Sequence, residues 1–271
     1  MTSVRTAVKE QTIELANNKA HFFEAGQGYP TIFLHGVGFP ASGEEWFPCL
    51  KEGLADSVHV FAVDQLGWGS VERPEWNYSF AYLVDHIREL QDALGFEKTN
   101  LVGHSLGGWV CATLAYESPE RVNKLALVAN AGLNPNPPPN LVGFKAPTKE
   151  SLIEATAIIK DPDMRDEIIE SRLRNAGTPG AVESYTRLSE MFQDMDVRRR
   201  YHLGRRLSHI SAPTMLVFGE NDLVFPPVEG RELMRTQIPN VQRYELLPDT
   251  GHFIPQERPR ELTSLLRDFL A

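Results

Sequence analysis

Residues 100–115 read NLVGHSLGGWVCATLA and contain the pattern Gly-x-Ser-x-Gly at positions 103–107. A short apolar run precedes the pattern, and a helix-like stretch follows it. A serine held between a strand and a helix in this way has a strained backbone and projects its hydroxyl from the end of a sheet. Glycine is needed on both sides because no side chain fits where the strand and the helix crowd together. The stretch therefore predicts a nucleophilic Ser105; a surface turn that happens to contain serine is the alternative.

Further short apolar runs predict the other strands of the same sheet. They lie at 31–34, 59–63, 124–128, 214–218 and 242–246, and helical patterns separate them. Runs that are apolar throughout and alternate with helices are typical of buried parallel strands. Residues 12–15 and 19–23 alternate in polarity instead, which predicts an antiparallel hairpin at the sheet edge. The fold class is therefore α/β, with a mostly parallel sheet flanked by helices.

The alternation of strands and helices stops near Leu133. Residues 134–140 read NPNPPPN and predict a stiff linker, because proline fixes φ and lacks a backbone donor. Only helical patterns follow until a strand pattern resumes at Thr214. We therefore predict a core formed by residues 1–133 and 208–271 and a helical cap, inserted in that core, formed by residues 134–207.

Composition narrows the class of protein. The chain has 271 residues, of which 42% are hydrophobic, and its formal net charge is −9. An acidic chain is a poor match for a nucleic-acid partner, and five arginines between 198 and 206 are interpreted as a solvated helix face. The sequence shows no membrane-length apolar run, no apolar signal region and no Cys/His metal spacing. We expect a cytoplasmic protein that acts on a small molecule without a metal or cofactor and without a membrane partner; a homo-oligomeric state is compatible with the sequence.

Two residues late in the chain can complete the chemistry of Ser105. A serine hydroxyl is a weak nucleophile that needs a base, and the base needs an orienting carboxylate. Asp222 follows the apolar run 214–218, and His252 lies in a Gly-His pair after the last run. Loops at the carboxyl ends of parallel strands meet at one edge of the sheet. We therefore predict a catalytic set of Ser105, Asp222 and His252, with Glu220 as the alternative acid.

The tetrahedral intermediate of such a reaction needs donors for its oxyanion. The backbone N–H of Leu106 starts the helix after Ser105, where free N–H groups and the helix dipole favour an anion. The second predicted donor is the N–H of Val37, in the loop after the first parallel strand; ordinary loop structure is the alternative. Four further residues are predicted to line the substrate site: Gly36, Phe39, His104 and Phe253.

Taken together, these motifs resemble the α/β-hydrolase superfamily over nearly the whole chain. The carriers are residues 35–38 (HGVG), 64–70 (DQLGWGS), 103–107 (GHSLG), 219–222 (GEND) and 251–252 (GH). Residues 67–69 (GWG), 121–125 (RVNKL), 131–133 (AGL) and the layout of the insertion are similar to the meta-cleavage-product hydrolases. This resemblance implies cofactor-free hydrolysis of a carbon–carbon bond in vinylogous 1,5-diketone acids, which arise by ring opening of aromatic compounds.

The resemblance also implies a role for one cap residue. Residues 166–172 (DEIIESR) are similar to the cap segment whose arginine binds a substrate carboxylate in that family, which implies this role for Arg172. Pairing with the acidic residues of its own segment is the alternative. The chain has His104 where the family usually has Asn and Phe253 where it usually has Trp. Its loop at 37–40 also contains less glycine.

Other functions stay open on the sequence. A carboxylesterase or a lactonase would use the same three residues. Two alternatives come from other classes: a non-hydrolytic enzyme of the superfamily and a ligand receptor built on the same fold.

Overall fold

One eight-stranded sheet lies at the centre of the chain. The computed structural model describes residues 7–16, 18–71, 73, 78–134, 136–137, 144–157, 159, 161–224 and 228–271. The strands are β1 (Lys9–Glu14), β2 (Lys19–Ala25), β3 (Pro30–Leu34), β4 (His59–Val63), β5 (Thr99–His104), β6 (Val122–Val128), β7 (Thr214–Gly219) and β8 (Val241–Leu247). Their spatial order is β1-β2-β4-β3-β5-β6-β7-β8. The pairs β1–β2 and β2–β4 are antiparallel and all other pairs are parallel, which confirms the predicted sheet and its edge hairpin.

Helices cover both faces of this sheet. They are α1 (Phe47–Lys51), α2 (Phe80–Ala93), α3 (Leu106–Glu117), α4 (Lys149–Ala155), α5 (Pro162–Ala176), α6 (Ala181–Gln193), α7 (Met195–Tyr201), α8 (Val228–Gln237), α9 (Ile254–Glu257) and α10 (Pro259–Leu270). Leu83 and Ile87 of α2 and Val110 of α3 belong to one core cluster. Leu262 and Leu266 of α10 belong to the other. The central strands β5 and β7 are buried along their whole length because helices cover both of their faces.

The predicted cap region contains helices and no strand among its described residues. Helices α4 to α7 lie between β6 and β7. Phe192 of α6 is buried and contacts two aromatic rings of the core, with centroid distances of 6.4 Å to Trp68 and 6.5 Å to Trp109. Most of the predicted proline linker, at 135 and 138–140, lies outside the described residues, so the boundaries of the cap stay a prediction.

The interpretation of residues 198–206 as a solvated helix face is wrong for Arg198. Its side chain is 3% exposed, and its guanidinium lies 5.7 Å from the centre of the Trp109 ring. It donates hydrogen bonds to the carbonyl oxygens of Phe192, Asn134 and Asn136. Arg198 therefore ties the start of the cap region to α6, because a planar guanidinium can serve several acceptors at once.

No helix among the described residues is long and apolar enough to cross a bilayer.

Candidate active site

Ser105 occupies the sharp turn between β5 and α3. Its φ and ψ are 52° and −114°, a conformation that residues with a side chain rarely adopt. Its N–H donates to the carbonyl of Val128 at 3.0 Å and holds the turn. A Cβ at Gly103 would lie 2.3 Å from the backbone of Gly107, and one at Gly107 would lie 2.3 Å from the carbonyl oxygen of Leu34. The two glycines of the motif are therefore required by close backbone packing.

The structure brings the three predicted catalytic side chains together at the carboxyl ends of the strands. Ser105 Oγ lies 3.0 Å from His252 Nε2, and His252 Nδ1 lies 2.8 Å from Asp222 Oδ2. The other carboxylate oxygen of Asp222 accepts the N–H of Val224 at 2.7 Å. Glu220 is exposed to solvent. This geometry places Asp222 rather than Glu220 against the imidazole, so that Nδ1–H can donate to the carboxylate while Nε2 accepts the serine proton.

The surroundings of His252 favour its neutral form. Burial lowers the pKa of His252, because an imidazolium is poorly solvated there. The hydrogen bond to Asp222 opposes this shift, and the nearby charge of His104 lowers the pKa further. The imidazole is therefore available as a base below its ordinary pKa.

The two predicted oxyanion donors both lie beside Ser105. Leu106 is the first residue of α3, and Val37 follows Gly36 in the loop after β3. A Cβ at Gly36 would lie 3.3 Å from Ser105 Cβ, so this loop approaches the nucleophile closely. Among the described residues, neither the backbone N–H of Val37 nor that of Leu106 donates to another backbone group. Their role as oxyanion donors stays a prediction.

Two predicted substrate-binding aromatics stand at the edge of this arrangement. Phe39 contacts Phe144 and Tyr185, with ring centroids 5.2 and 5.0 Å apart. The Phe253 ring lies 5.4 Å from the His252 imidazole. Phe39 thus joins the loop after β3 to α6, and Phe253 packs directly beside His252.

His104, which was predicted to line the substrate site, lies directly before Ser105 and is buried among protein partners. It is 1% exposed, and its ring nitrogens lie 2.8 Å from Glu45 Oε1 and 2.9 Å from the backbone oxygen of His252. Since both nitrogens have protein partners, His104 contributes to the site through the residues that it holds. Glu45 was not predicted, because nothing in residues 43–46 (GEEW) distinguishes it from a solvent-exposed glutamate.

Arg172 lies on α5 and borders a cavity of about 230 Å³ between this helix and the 3₁₀ turn Gly43–Trp46 with α1. Its Nη2 donates to Gln256 Oε1 at 3.3 Å. Burial lowers the pKa of Arg172, and the charge of Glu45 opposes that shift. Within the described chain, no carboxylate forms an ion pair with Arg172, and Glu167 of the same helix pairs with Lys51 instead. The alternative of pairing along the helix surface is therefore not what the structure shows.

No group of three or more His, Cys, Asp or Glu side chains among the described residues is placed to hold a metal ion.

Comparisons with known proteins give a consistent set of relatives. Residues 29–188 match the sequence model of a family described as having the α/β hydrolase fold. The chain is 28% identical over 262 residues to 2-hydroxymuconate semialdehyde hydrolase of Pseudomonas sp. strain CF600, covering 94% of this chain and 92% of that protein. It is also 28% identical over 280 residues to 2-hydroxy-6-oxo-6-phenylhexa-2,4-dienoate hydrolase of Burkholderia cepacia, covering 95% and 93%. A solved meta-cleavage product hydrolase from Pseudomonas fluorescens IP01 superposes with a TM-score of 0.82 at 25% identity, covering 99% of this chain and 98% of that one.

Proposed function

The chain belongs to the α/β-hydrolase fold family, and from this premise we propose that it is a serine hydrolase that cleaves a carbon–carbon bond in a meta-cleavage-type diketone acid. The observation that carries the proposal is the line of contacts from Ser105 Oγ through His252 to Asp222. The relatives named as hydrolases of such acids support the substrate class.

Ser105 attacks a carbonyl carbon of the substrate. His252 Nε2 takes the Oγ proton as the new C–O bond forms, and Asp222 stabilises the imidazolium that results. The carbonyl oxygen becomes an oxyanion, to which the N–H groups of Val37 and Leu106 donate hydrogen bonds. The two contacts of His252, with Ser105 and with Asp222, therefore convert a weak nucleophile into one that works near neutral pH.

Carbon–carbon cleavage makes a further demand on the substrate. The electron pair of the breaking bond must pass into the conjugated keto acid, so the enol tautomer is first converted to the ketone. His252 then returns its proton to the leaving fragment. Water attacks the acyl group left on Ser105 and releases it as an acid. The same machinery would hydrolyse an ester or a lactone, whose leaving group is an oxygen.

Arg172 is the proposed carboxylate-binding residue. A guanidinium matches a carboxylate with two parallel hydrogen bonds. The absence of an ion-pair partner for Arg172 among the described residues leaves such an interaction available. Phe39 and Phe192 connect the cap helices to the core, which supports the proposal that residues 134–207 cover the site and select the substrate.

Replacing Arg172 with glutamine is expected to raise KM for an acidic dienone by about 10- to 100-fold, because the substrate carboxylate loses one or two charged hydrogen bonds. A neutral aryl ester should be affected little, because it has no carboxylate. The measurement is a comparison of kcat and KM on both substrates for the wild-type protein and the variant.

The control is Arg235→Gln, an exposed arginine of α8 that pairs with Glu232, and it should change neither kinetic constant on either substrate. Equal effects of Arg172→Gln on both substrates would remove its role in carboxylate binding. A parent enzyme that hydrolyses esters but no dienone acid would replace carbon–carbon hydrolysis with the esterase or lactonase function.

The lowered pKa of His252 gives a prediction for the pH profile. His252 must be neutral to accept the serine proton, so kcat/KM falls as the pH drops through its pKa. Because burial lowers that pKa, activity should persist below the ordinary imidazole value of about 6.5. The profile is measured with an aryl ester across the acid range. An acid limb at or above the ordinary value would contradict the environment described for His252.

A further inference from the structure

We propose that Glu45 and His104 are positioning residues that act as one buried ion pair and hold the oxyanion loop and the His252 loop against the Ser105 turn. This role rests on the proposed function, because the pair affects activity only if Ser105 is the nucleophile.

The Glu45 carboxylate joins two of these segments. Its Oε1 and Oε2 accept the backbone N–H of Gly36 at 3.1 and 3.3 Å, one residue before the proposed oxyanion donor Val37. Oε1 also lies 2.8 Å from His104 Nδ1, and His104 directly precedes Ser105. A single carboxylate therefore fixes the distance between the oxyanion loop and the nucleophile.

The His104 ring extends the connection to the third segment. Its Nε2 lies 2.9 Å from the backbone oxygen of His252, and the two imidazole rings have centroids 5.0 Å apart. The chain Gly36–Glu45–His104–His252 thus runs behind the reacting atoms. It connects loops that follow β3, β5 and β8.

The partners of His104 define its protonation state. A backbone carbonyl only accepts hydrogen bonds, so Nε2 must carry a proton. The Glu45 carboxylate accepts the N–H of Gly36 as well, which favours its ionised form and requires a proton on Nδ1 too. His104 is therefore an imidazolium. Although burial by itself would lower the pKa of His104, the Glu45 charge raises it above its usual value.

The pair also acts on the charge of His252. The charged and titratable groups that act on the two imidazoles are Glu45 from the 3₁₀ turn, Asp222 after β7 and His35 after β3, and Arg172 from α5 acts on Glu45. The His104 cation lowers the pKa of His252, whereas Asp222 and Glu45 raise it. Loss of the cation alone should therefore raise the pKa of His252 and weaken the base at acid pH.

Glu44 holds the 3₁₀ turn that carries Glu45 against α5. Glu44 Oε2 accepts hydrogen bonds from Ser171 at 2.6 Å and from Asn175 at 3.3 Å, both on α5. The two consecutive glutamates therefore have different partners: Glu44 binds α5, and Glu45 binds Gly36 and His104. The turn that presents Glu45 is held from both sides.

The test compares Glu45→Gln and His104→Asn with a matched control pair elsewhere in the fold. Glu45→Gln and His104→Asn are each expected to lower kcat on an aryl ester by about 10- to 100-fold with little change in KM, because small displacements of reacting groups slow the chemical step. His104→Asn should also move the acid limb of kcat/KM to higher pH. Glu24→Gln and His59→Gln break a Glu–His contact of 2.7 Å between β2 and β4 and should change neither quantity.

A double variant covers the case in which an unpaired buried charge prevents folding. Glu45→Gln combined with His104→Asn leaves two neutral amides, and its loss should be smaller than the product of the single losses because the residues act as a unit. Wild-type kcat in a folded single or double variant, or an unshifted acid limb in a folded His104→Asn protein, would overturn the proposal.

A measurement on the wild-type protein separates this proposal from the proposed function. Nitrogen NMR of the His104 ring, assigned through its contacts with Gly36 and His252, should show both nitrogens protonated at neutral pH. A neutral ring would overturn the ion pair whether or not any substrate is hydrolysed. Failure of the wild-type protein to hydrolyse every ester and dienone acid would instead reject the proposed function, while the NMR result still decides the state of the pair.

Discussion

Ser105→Ala is expected to lower kcat by at least about 10³-fold on every substrate that the enzyme accepts. The change deletes one hydroxyl, whose oxygen lies 3.0 Å from His252 Nε2 and is the proposed nucleophile. The oxyanion donors and the cap remain, so substrate binding should survive. The measurement is kcat and KM on an aryl ester and on a dienone acid, with substrate affinity determined separately by calorimetry.

The control for this variant is Ser208→Ala, which removes the hydroxyl of an exposed serine. Its kinetic constants should match those of the wild-type protein. Retention of near-wild-type kcat by a folded Ser105→Ala protein would remove Ser105 from the nucleophile role, whatever the geometry around it.

Asp222→Asn is expected to lower kcat by about 10³- to 10⁴-fold while the fold stays intact. An asparagine amide can donate to His252 Nδ1, which forces the ring proton onto Nε2. That nitrogen then faces Ser105 as a donor and cannot accept the serine proton. The measurement is kcat for the variant, together with its thermal unfolding midpoint as a check on folding.

Glu220→Gln is the matched comparison for Asp222→Asn. It makes the same change of charge two residues away, on a side chain that is exposed and outside the contact with His252. Its kcat should be unchanged. A large loss in Glu220→Gln with a small one in Asp222→Asn would transfer the orienting role to Glu220.

The central strands could be predicted because their composition reflects a simple requirement. A strand with helices on both faces is buried along its whole length, as β5 and β7 are. Such a strand is rich in apolar residues, so the signal is present in each segment by itself. The positions of Asp222 and His252 could be predicted because each lies in the loop that follows a predicted strand, β7 and β8 respectively. Their catalytic roles stay predictions, although the structure places the side chains within hydrogen-bonding distance.

Glu45 and Arg198 show what the sequence does not reveal. Both are charged residues in segments that look solvent-exposed, and both are buried in the fold. Burial is possible because distant segments supply their partners: His104 and Gly36 for Glu45, and cap carbonyl oxygens for Arg198. Such pairings depend on tertiary contacts and leave no periodic pattern. His104 could be placed near the site because it directly precedes Ser105, but its hydrogen-bond partners could be known only from the fold.

The backbone of Ser105 has a consequence for how this protein can evolve. A side chain at φ 52° costs on the order of 1–3 kcal/mol of folding free energy, and a glycine at that position would avoid the cost. Selection for thermal stability alone would therefore favour glycine at position 105 and remove the proposed nucleophile. Under the proposed function, selection for catalysis retains this serine, so lineages that lose the activity should lose it early while the rest of the sheet remains intact.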